Sequence, residues 1–373
     1  MKKAKLIFSF LVGSIALSMV LISCQNNEAV SPQKDLLPQS FSVDIPNSIS
    51  SNGISGGRLG GRVASDTLSG NDIYKNLSTF IYAGEGASKL VEAFINGVRK
   101  YRIDKIQSLT YTSDDDGRVK NLVVTSNVDF DGTTWNYQLT ITDANSENQP
   151  DGGKALQLFW NTNVIKGIAI VKPFNCDRIK NSNVPDALLK VNYSEGENLG
   201  YEAQMEVFVS GLPLGNPITE PYSINTIHMF VGRKGDVVDV YGNSNHPNAT
   251  FFAPNKGFNF AFVASGNELI DIGVAEVGLP SSSLDSNDHK VLLKDNSIKN
   301  VFTIGINILF PGVDQSLVAA YLKNTAAPGY FNKKGFMSGG TSPGADWNSL
   351  AARLNALTPY SPLQTSNLVV KFK

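Results

Sequence analysis

The chain has 373 residues, 42% of them apolar, and a formal net charge of −1. That length suffices for one large domain or two ordinary ones, each with a real hydrophobic core. A near-neutral, mixed surface lacks the basic stripe that nucleic-acid binding calls for, so no nucleic acid is expected as a partner.

Residues 1–24 open with Met1-Lys2-Lys3-Ala4-Lys5, continue as an apolar run, and end in Leu21-Ile22-Ser23-Cys24. A positive start, an apolar stretch too short to span a bilayer with margin, and small residues before a cleavage point make an export signal. Leu21-Ile22-Ser23-Cys24 resembles the lipobox of bacterial lipoproteins. The resemblance implies cleavage before Cys24, a diacylglyceryl group on its sulfur and an acyl chain such as palmitate on its nitrogen. Cys24 is then the lipidation site, the membrane is a partner through that lipid, and the cell envelope is the address. Gln25 stands where an Asp marks retention at the inner membrane, which favours the outer membrane, facing either the periplasm or the outside. Removal of Lys2, Lys3 and Lys5 takes the formal charge to −4. With its sulfur alkylated, Cys24 leaves the only other cysteine, Cys176, as a free thiol. Cys176 follows the apolar stretch 168–174, and that predicts a core position rather than a nucleophile.

Residues 25–64 are rich in Ser, Asn, Pro and Gly, and Asn52 to Gly61 contains six glycine or asparagine positions. Such a composition predicts a flexible tether. The glycines follow no strand and no Gly-Lys-Ser/Thr closes them, so they do not make a phosphate loop. Residues 65–373 then read as one α+β domain. Ile73, Leu77, Phe80 and Ile81 share a helical face, with Asn71 or Asp72 as the N-cap. The Gly84-Glu85-Gly86 run predicts a break. After it, Ser88 caps a second helix with Leu90, Val91, Phe94, Val98 and Tyr101 on one stripe.

From residue 107 to residue 280 the period becomes two. Trp135, Tyr137, Leu139 and Ile141 alternate with Thr134, Asn136, Gln138 and Thr140; Ala203, Met205, Val207 and Val209 alternate with Gln204 and Glu206; Phe258, Phe260 and Phe262 form a third set. Residues 156–160 and 168–171 are apolar at nearly every position, which predicts strands covered on both faces. Asp114-Asp115-Asp116-Gly117, Asp129-Phe130-Asp131-Gly132 and Lys234-Gly235 carry hairpin-turn chemistry. The first of these hairpins is similar to single units of the Tyr-Asp-rich hairpins of bacterial surface lipoproteins.

The last ninety residues or so mix both periods. Phe302, Ile304, Ile306, Ile308 and Phe310 alternate like a buried strand, and residues 313–323 look helical. Asp346 caps a helix bearing Trp347, Leu350, Ala351, Leu354 and Leu357. Leu368, Val370 and Phe372 read as a closing strand. The expected fold is α+β: a large antiparallel meander curved into a half-barrel or barrel, with an N-terminal helix pair and C-terminal helices packed on it.

The chemistry-bearing residues are few, and no cofactor signature occurs. His228, His246 and His289 lack the close pairing of a zinc site. His246, in a polar loop, is the better catalytic candidate. Asp114, Asp116, Asp129 and Asp131 could offer oxygens to calcium, although none continues into an EF-hand frame and turn formation already explains them. Trp135, Tyr137, Trp160, Phe258 and Phe260 are the candidate ligand-binding aromatics, since rings on a curved sheet can line an apolar pocket or stack on sugars. The reading that follows is a lipid-anchored, non-enzymatic envelope protein that binds an apolar ligand, a glycan or an envelope protein. The alternative is an anchored hydrolase of envelope or environmental polysaccharide, with paired acids or His246 and an acid in one cleft.

Overall fold

The structure is a computed structural model that describes residues 40–50, 70–99, 106–162, 165–196, 199–250 and 257–373. Cys24, the glycine-rich run 52–61, Tyr101, Phe251 and Phe252 lie outside the described residues, as does the side chain of Val98.

Among the described residues, one antiparallel sheet of 13 strands runs in strict sequence order. A long helix, α1 (Gly70–Arg99), precedes it. Then come β1 (Ser108–Thr112), β2 (Val119–Phe130), β3 (Thr133–Asp143), β4 (Lys154–Asn161), β5 (Lys166–Val171) and the single turn α2 (Pro173–Cys176). β6 (Leu188–Glu195), β7 (Ala203–Ser210), β8 (Thr226–Lys234), β9 (Val237–His246), β10 (Phe258–Asn267) and β11 (Ile272–Gly278) continue the meander. A π-helical turn (Lys290–Asp295), α3 (Ile298–Leu309) and α4 (Gln315–Tyr321) interrupt it before β12 (Gly329–Asn332) and β13 (Gly335–Gly339). Helices α5 (Ala345–Leu354) and α6 (Pro362–Ser366) end the chain. β1 and β13 do not pair with each other, so the curved sheet stays open.

Local chemistry explains the hairpins. Between β2 and β3 both turn residues have positive φ, Asp131 at 51° and Gly132 at 72°. That is the twist-matched two-residue turn that Asp-Gly favours.

The inner face of the sheet holds α1. Ile73, Leu77, Phe80, Ile81, Ala87, Val91 and Ile95 are buried there against Leu139, Leu158, Val191, Met205, Val207, Met229 and Phe260. The expected helix pair is one helix of 30 residues. Gly84 is not a break: a side chain there would stand 2.5 Å from Cε of Met229, so the glycine lets the helix lie close on β8. Helix-interior glycine costs about 1 kcal/mol, which the apolar stripe on both sides offsets.

Residues 40–50 share this face and do not belong to a free tether. Phe41, Val43, Ile45 and Ile49 are buried. Glycines in the sheet make notches for them, with a Cβ at Gly167 falling 2.5 Å from Cζ of Phe41 and one at Gly266 falling 3.0 Å from Cδ1 of Ile49. On the other side, the Ser42 hydroxyl donates to Glu92 and the Ser50 hydroxyl to Glu85, both on α1. The Ser48 amide donates to Asp271 Oδ1 at 2.9 Å. The segment is a strap between helix and sheet.

The outer face is covered at two places. Toward the end of the meander, Ala261, Val263 and Val274 pack under Leu292, Leu293, Leu350 and Leu354. Near its beginning, Trp135, Phe159, Ile168 and Ile170 pack under Val370. The prediction of strands buried on both faces therefore holds for β4 and β5: Leu156, Leu158 and Trp160 face inward, Phe159 and Ile168 outward. Trp135 departs from the expected set and joins the outer cluster, while Leu139 and Ile141 face α1.

Two expected strands are absent. Residues 302–310 fall mainly in α3, whose start Ser297 caps by accepting from the Asn300 amide. Residues 368–372 form no ladder: the Val370 amide donates to Ser210 Oγ at 3.1 Å and the Lys373 amide to Gln157 Oε1 at 2.7 Å. Side-chain acceptors replace a neighbouring strand there. Asp346 lies in the first turn of α5, and Gly344 is its N-cap.

Candidate functional site

His246 ends β9, and its ring is buried under Phe80, whose ring centroid is 5.1 Å away. Nδ1 lies 3.0 Å from the Tyr222 carbonyl and Nε2 lies 2.8 Å from Ser244 Oγ. A carbonyl can only accept, so Nδ1 carries the proton and the Ser244 hydroxyl donates to Nε2. Burial pulls the His246 pKa down to about 4, against a weaker upward effect of the Tyr222 carbonyl. Ser244 and His246 sit two residues apart on one strand, so they share its inner face. The pair has the contact of a nucleophile and its base. The group orienting the base is a carbonyl and not an acid.

Phe258 and Phe260 pair with His246 and Ser244 across β9 and β10, and they line the same crevice with Ile73, Ala249 and Leu279. Its free space is about 20 Å³, room for a single water. The other ligand-binding candidates do not reach it. Trp135 and Trp160 are 1% and 0% exposed, and Tyr137 stacks on Trp160 at 5.4 Å. Trp135 and Trp160 are core residues of the two faces, and Tyr137, partly buried, is placed against Trp160 by strand register.

The acidic candidates are engaged by cations or turns. Asp116 accepts from the buried Lys120 ammonium at 3.1 Å, and Asp143 accepts from the same ammonium at 3.2 Å and from Arg118 Nε at 2.6 Å. Burial works to raise the Asp143 pKa, but the Arg118 and Lys120 bonds outweigh it and hold the value at about 2. Asp131 accepts from Lys190 at 2.6 Å, and Asp129 accepts from Thr134 Oγ1 at 2.5 Å. Asp114 is exposed in the first hairpin turn. Among the described residues no three His, Cys, Asp or Glu side chains come together to hold a metal. Cys176 is a free thiol packed against the core, and burial raises its pKa far above the ordinary thiol range.

A second constellation, not singled out from the sequence, lies on the outer face between the two covered regions. Register places Asn192 opposite Glu206, Lys190 opposite Phe208, Phe208 opposite His228, and Phe230 opposite Tyr241. Tyr360, just before α6, lies flat on His228, and the His228 ring stacks on Phe208 at 4.4 Å. Phe230 and Tyr241 stack at 4.8 Å, and Tyr201 approaches Phe230 at 5.6 Å. At the centre is Glu206. Its Oε1 accepts from His228 Nε2 at 2.8 Å and from the Tyr360 hydroxyl at 2.9 Å, while Oε2 accepts from Asn192 Nδ2 at 3.4 Å. Burial pushes the Glu206 pKa up, yet these donors and the nearby imidazole bring it below the ordinary carboxylate range. Burial, and then the Glu206 charge, keep Tyr360 protonated.

Two oxygens in this strip, Asn192 Oδ1 and Gln204 Oε1, are buried with no hydrogen-bond partner among the described residues. A buried carbonyl oxygen left unpaired costs about 1–3 kcal/mol. The strip thus combines half-buried aromatic rings, a carboxylate and two unsatisfied acceptors. Its sequence signal is the polar alternation of Lys190 and Asn192, then of Gln204 and Glu206, in strands at the middle of a large sheet. No protein-family description, no curated protein and no solved structure matches the chain.

Proposed function

We propose that this is a lipid-anchored envelope protein that binds a glycan on the outer strip of β6–β9, with no chemistry performed on it. The lipobox-like Leu21-Ile22-Ser23-Cys24 supports the anchor. The observation that carries the binding reading is the pair of buried oxygens of Asn192 and Gln204, without partners among the described residues, beside the Glu206 carboxylate. Both amide oxygens want hydrogen-bond donors, and Glu206 already holds three. A sugar supplies hydroxyl donors in a plane and C–H faces for aromatic rings. The strip supplies both complements: acceptors from β6 and β7, rings from β7, β8, β9 and Tyr360.

The hydrolase alternative needs an acid beside His246 or two acids in one cleft. The nearest partners of His246 are Ser244 and a backbone carbonyl, and Glu206 is engaged by its own donors. The binding reading therefore carries the proposal.

The test is titration of the mature protein with cello-, xylo- and chito-oligosaccharides by isothermal calorimetry. At least one class is expected to bind, and Gln204→Leu to weaken that binding by tenfold or more while far-UV circular dichroism stays unchanged. Binding unaffected by Gln204→Leu and by Glu206→Gln sinks the assignment to this strip. Mass spectrometry of the mature N-terminus, with Cys24→Ala as control, tests the anchor separately.

A further inference from the structure

Helices α3 and α4 form a hairpin whose outward side is apolar. Ile304 is 58% exposed, Ile308 69%, Leu309 53%, Phe310 61% and Leu317 64%. Between Lys299 and Lys323 the sequence contains one charged side chain, Asp314. The inward side is fully used: Ile298, Phe302, Val318 and Leu322 are buried in the inner core. The hairpin thus carries apolar side chains on its outward side as well as on its packed side. The hairpin is held together near its tip, where Gln315 Nε2 donates to Asn307 Oδ1 at 3.0 Å, and Pro311-Gly312 makes the turn with Gly312 at φ 82°. Isolated exposed apolar residues are ordinary, but a cluster of this kind marks an interaction surface.

We infer that this hairpin seats on the lipid surface to which the chain is anchored, an inference that rests on the lipoprotein reading of Cys24. Three observations choose a bilayer over another occupant. First, only 15 residues separate Cys24 from Ser40, where the described strap begins, and such a length extends at most about 50 Å. The folded part is thereby held within about its own diameter of the membrane, and a weak second contact becomes intramolecular. Second, the flanks of the apolar stretch are both cationic, Lys299 and Lys323, each exposed, at the level where phosphate headgroups lie when the tip is immersed. Third, the tip presents Phe310 and aliphatic side chains with no acidic residue but Asp314, which caps α4 by accepting from the Ser316 amide.

The test uses the mature, lipid-bearing protein reconstituted in phosphatidylethanolamine and phosphatidylcholine vesicles. Leu309→Trp places an indole on the ridge; Ile218→Trp, at a position 90% exposed and far in sequence from it, is the control. The Leu309→Trp protein is expected to show a blue-shifted emission component, at least half of it quenched by lipids brominated on the acyl chains. The Ile218→Trp component is expected to stay red and unquenched. A Leu309→Trp indole that is unquenched on a protein carrying acyl mass at Cys24 overturns the membrane seat alone. Blue-shifted but unquenched emission overturns it in favour of a second copy or another protein segment covering the ridge. Absence of acyl mass at Cys24 overturns the anchoring reading and the tethered seat together.

Discussion

His246 and the Asp143 cluster set two separate pH windows at the scale of single residues. The folded-state pKa of His246 is about 4, below its free value of 6.5, because burial disfavours the charged ring. Above pH 6.5 both folded and unfolded chains hold the ring neutral. As pH falls from 6.5 toward 4 the unfolded chain takes up a proton that the folded chain refuses, so stability declines by about 3 kcal/mol across that window. Asp143 acts lower down. Its pKa of about 2 lies under the free value of 3.8, so its contribution is complete above pH 3.8 and is lost as pH falls toward 2. Urea midpoints measured against pH should therefore show a slope between 6.5 and 4 that His246→Gln removes, with the steeper loss below pH 4 left in place. An unchanged slope in His246→Gln would assign that window to other groups. Lys120 gives a second residue-scale expectation. Its ammonium, 2% exposed, touches Asp116, Asp143 and the Asn175 carbonyl. Lys120→Met leaves two buried carboxylates short of a partner and should cost about 3–5 kcal/mol in urea unfolding. Ser244 is 1% exposed, and its hydroxyl is committed to His246. A fluorophosphonate probe is accordingly expected to leave the native protein unlabelled, and labelling at Ser244 would revive the hydrolase reading.

At the scale of elements, the strap of residues 40–50 makes the sharpest demand. Phe41 is fully buried against Gly167 and stands 5.9 Å from the Tyr193 ring. Phe41→Ala should cost about 3–5 kcal/mol, and a chain begun at Ser65 should lose the whole strap and fold poorly if at all. Equal melting temperatures for chains begun at Gln25 and at Ser65 would show the strap to be dispensable. The strap also shows where sequence patterning ran out. Strands with one wet face, such as β3 and β7, were legible because alternation maps directly onto two faces of a sheet. So were β4 and β5, whose continuous apolar runs matched cover on both sides. The strap carries the same alternation in Phe41, Val43 and Ile45, but only over five positions inside a segment rich in Ser and Asn. Phe302 to Phe310 failed for a different reason. Apolar residues at every second position also include the i, i+4 pairs Phe302–Ile306 and Ile304–Ile308, so both periods fit, and the Ser297 cap decides for helix. Gly84 suggests a break in sequence because a glycine that admits Met229 and a glycine that ends a helix look the same in one dimension. The outer strip stayed unseen because its members, from Lys190 to Tyr360, are joined by cross-strand register, which composition does not reveal.

For the whole molecule, the question is whether the late part of the chain is an independent unit. Everything from α3 to α6 could be imagined as a separate C-terminal lobe, yet it is interleaved with the rest. β12 and β13 continue the sheet from β11, Tyr74 of α1 stacks on Phe336 of β13 at 5.4 Å, and Val370 closes the outer cluster over β4 and β5. Tyr360 is bonded to Glu206 on β7, and Arg353 of α5 pairs with Asp239 on β9. Links at such sequence separations couple the unfolding of early and late elements. The three tryptophans report on the two regions: Trp135 and Trp160 on β3 and β4, and Trp347, whose Nε1 donates to the Phe331 carbonyl at 3.0 Å, on α5 and β12. In urea, the fluorescence transition of a Trp347→Phe variant, which reads only the early strands, should coincide with that of a Trp135→Phe/Trp160→Phe variant, which reads only the late elements. Each should also overlay its own far-UV circular dichroism transition, since the substitutions shift stability as well as signal. Fluorescence of the late reporter that moves well ahead of its own dichroism would mean that α3 to α6 and the last two strands open as a separate unit. The Glu206–Tyr360 and Asp239–Arg353 links would then be local clamps, too weak to transmit stability from one end of the chain to the other.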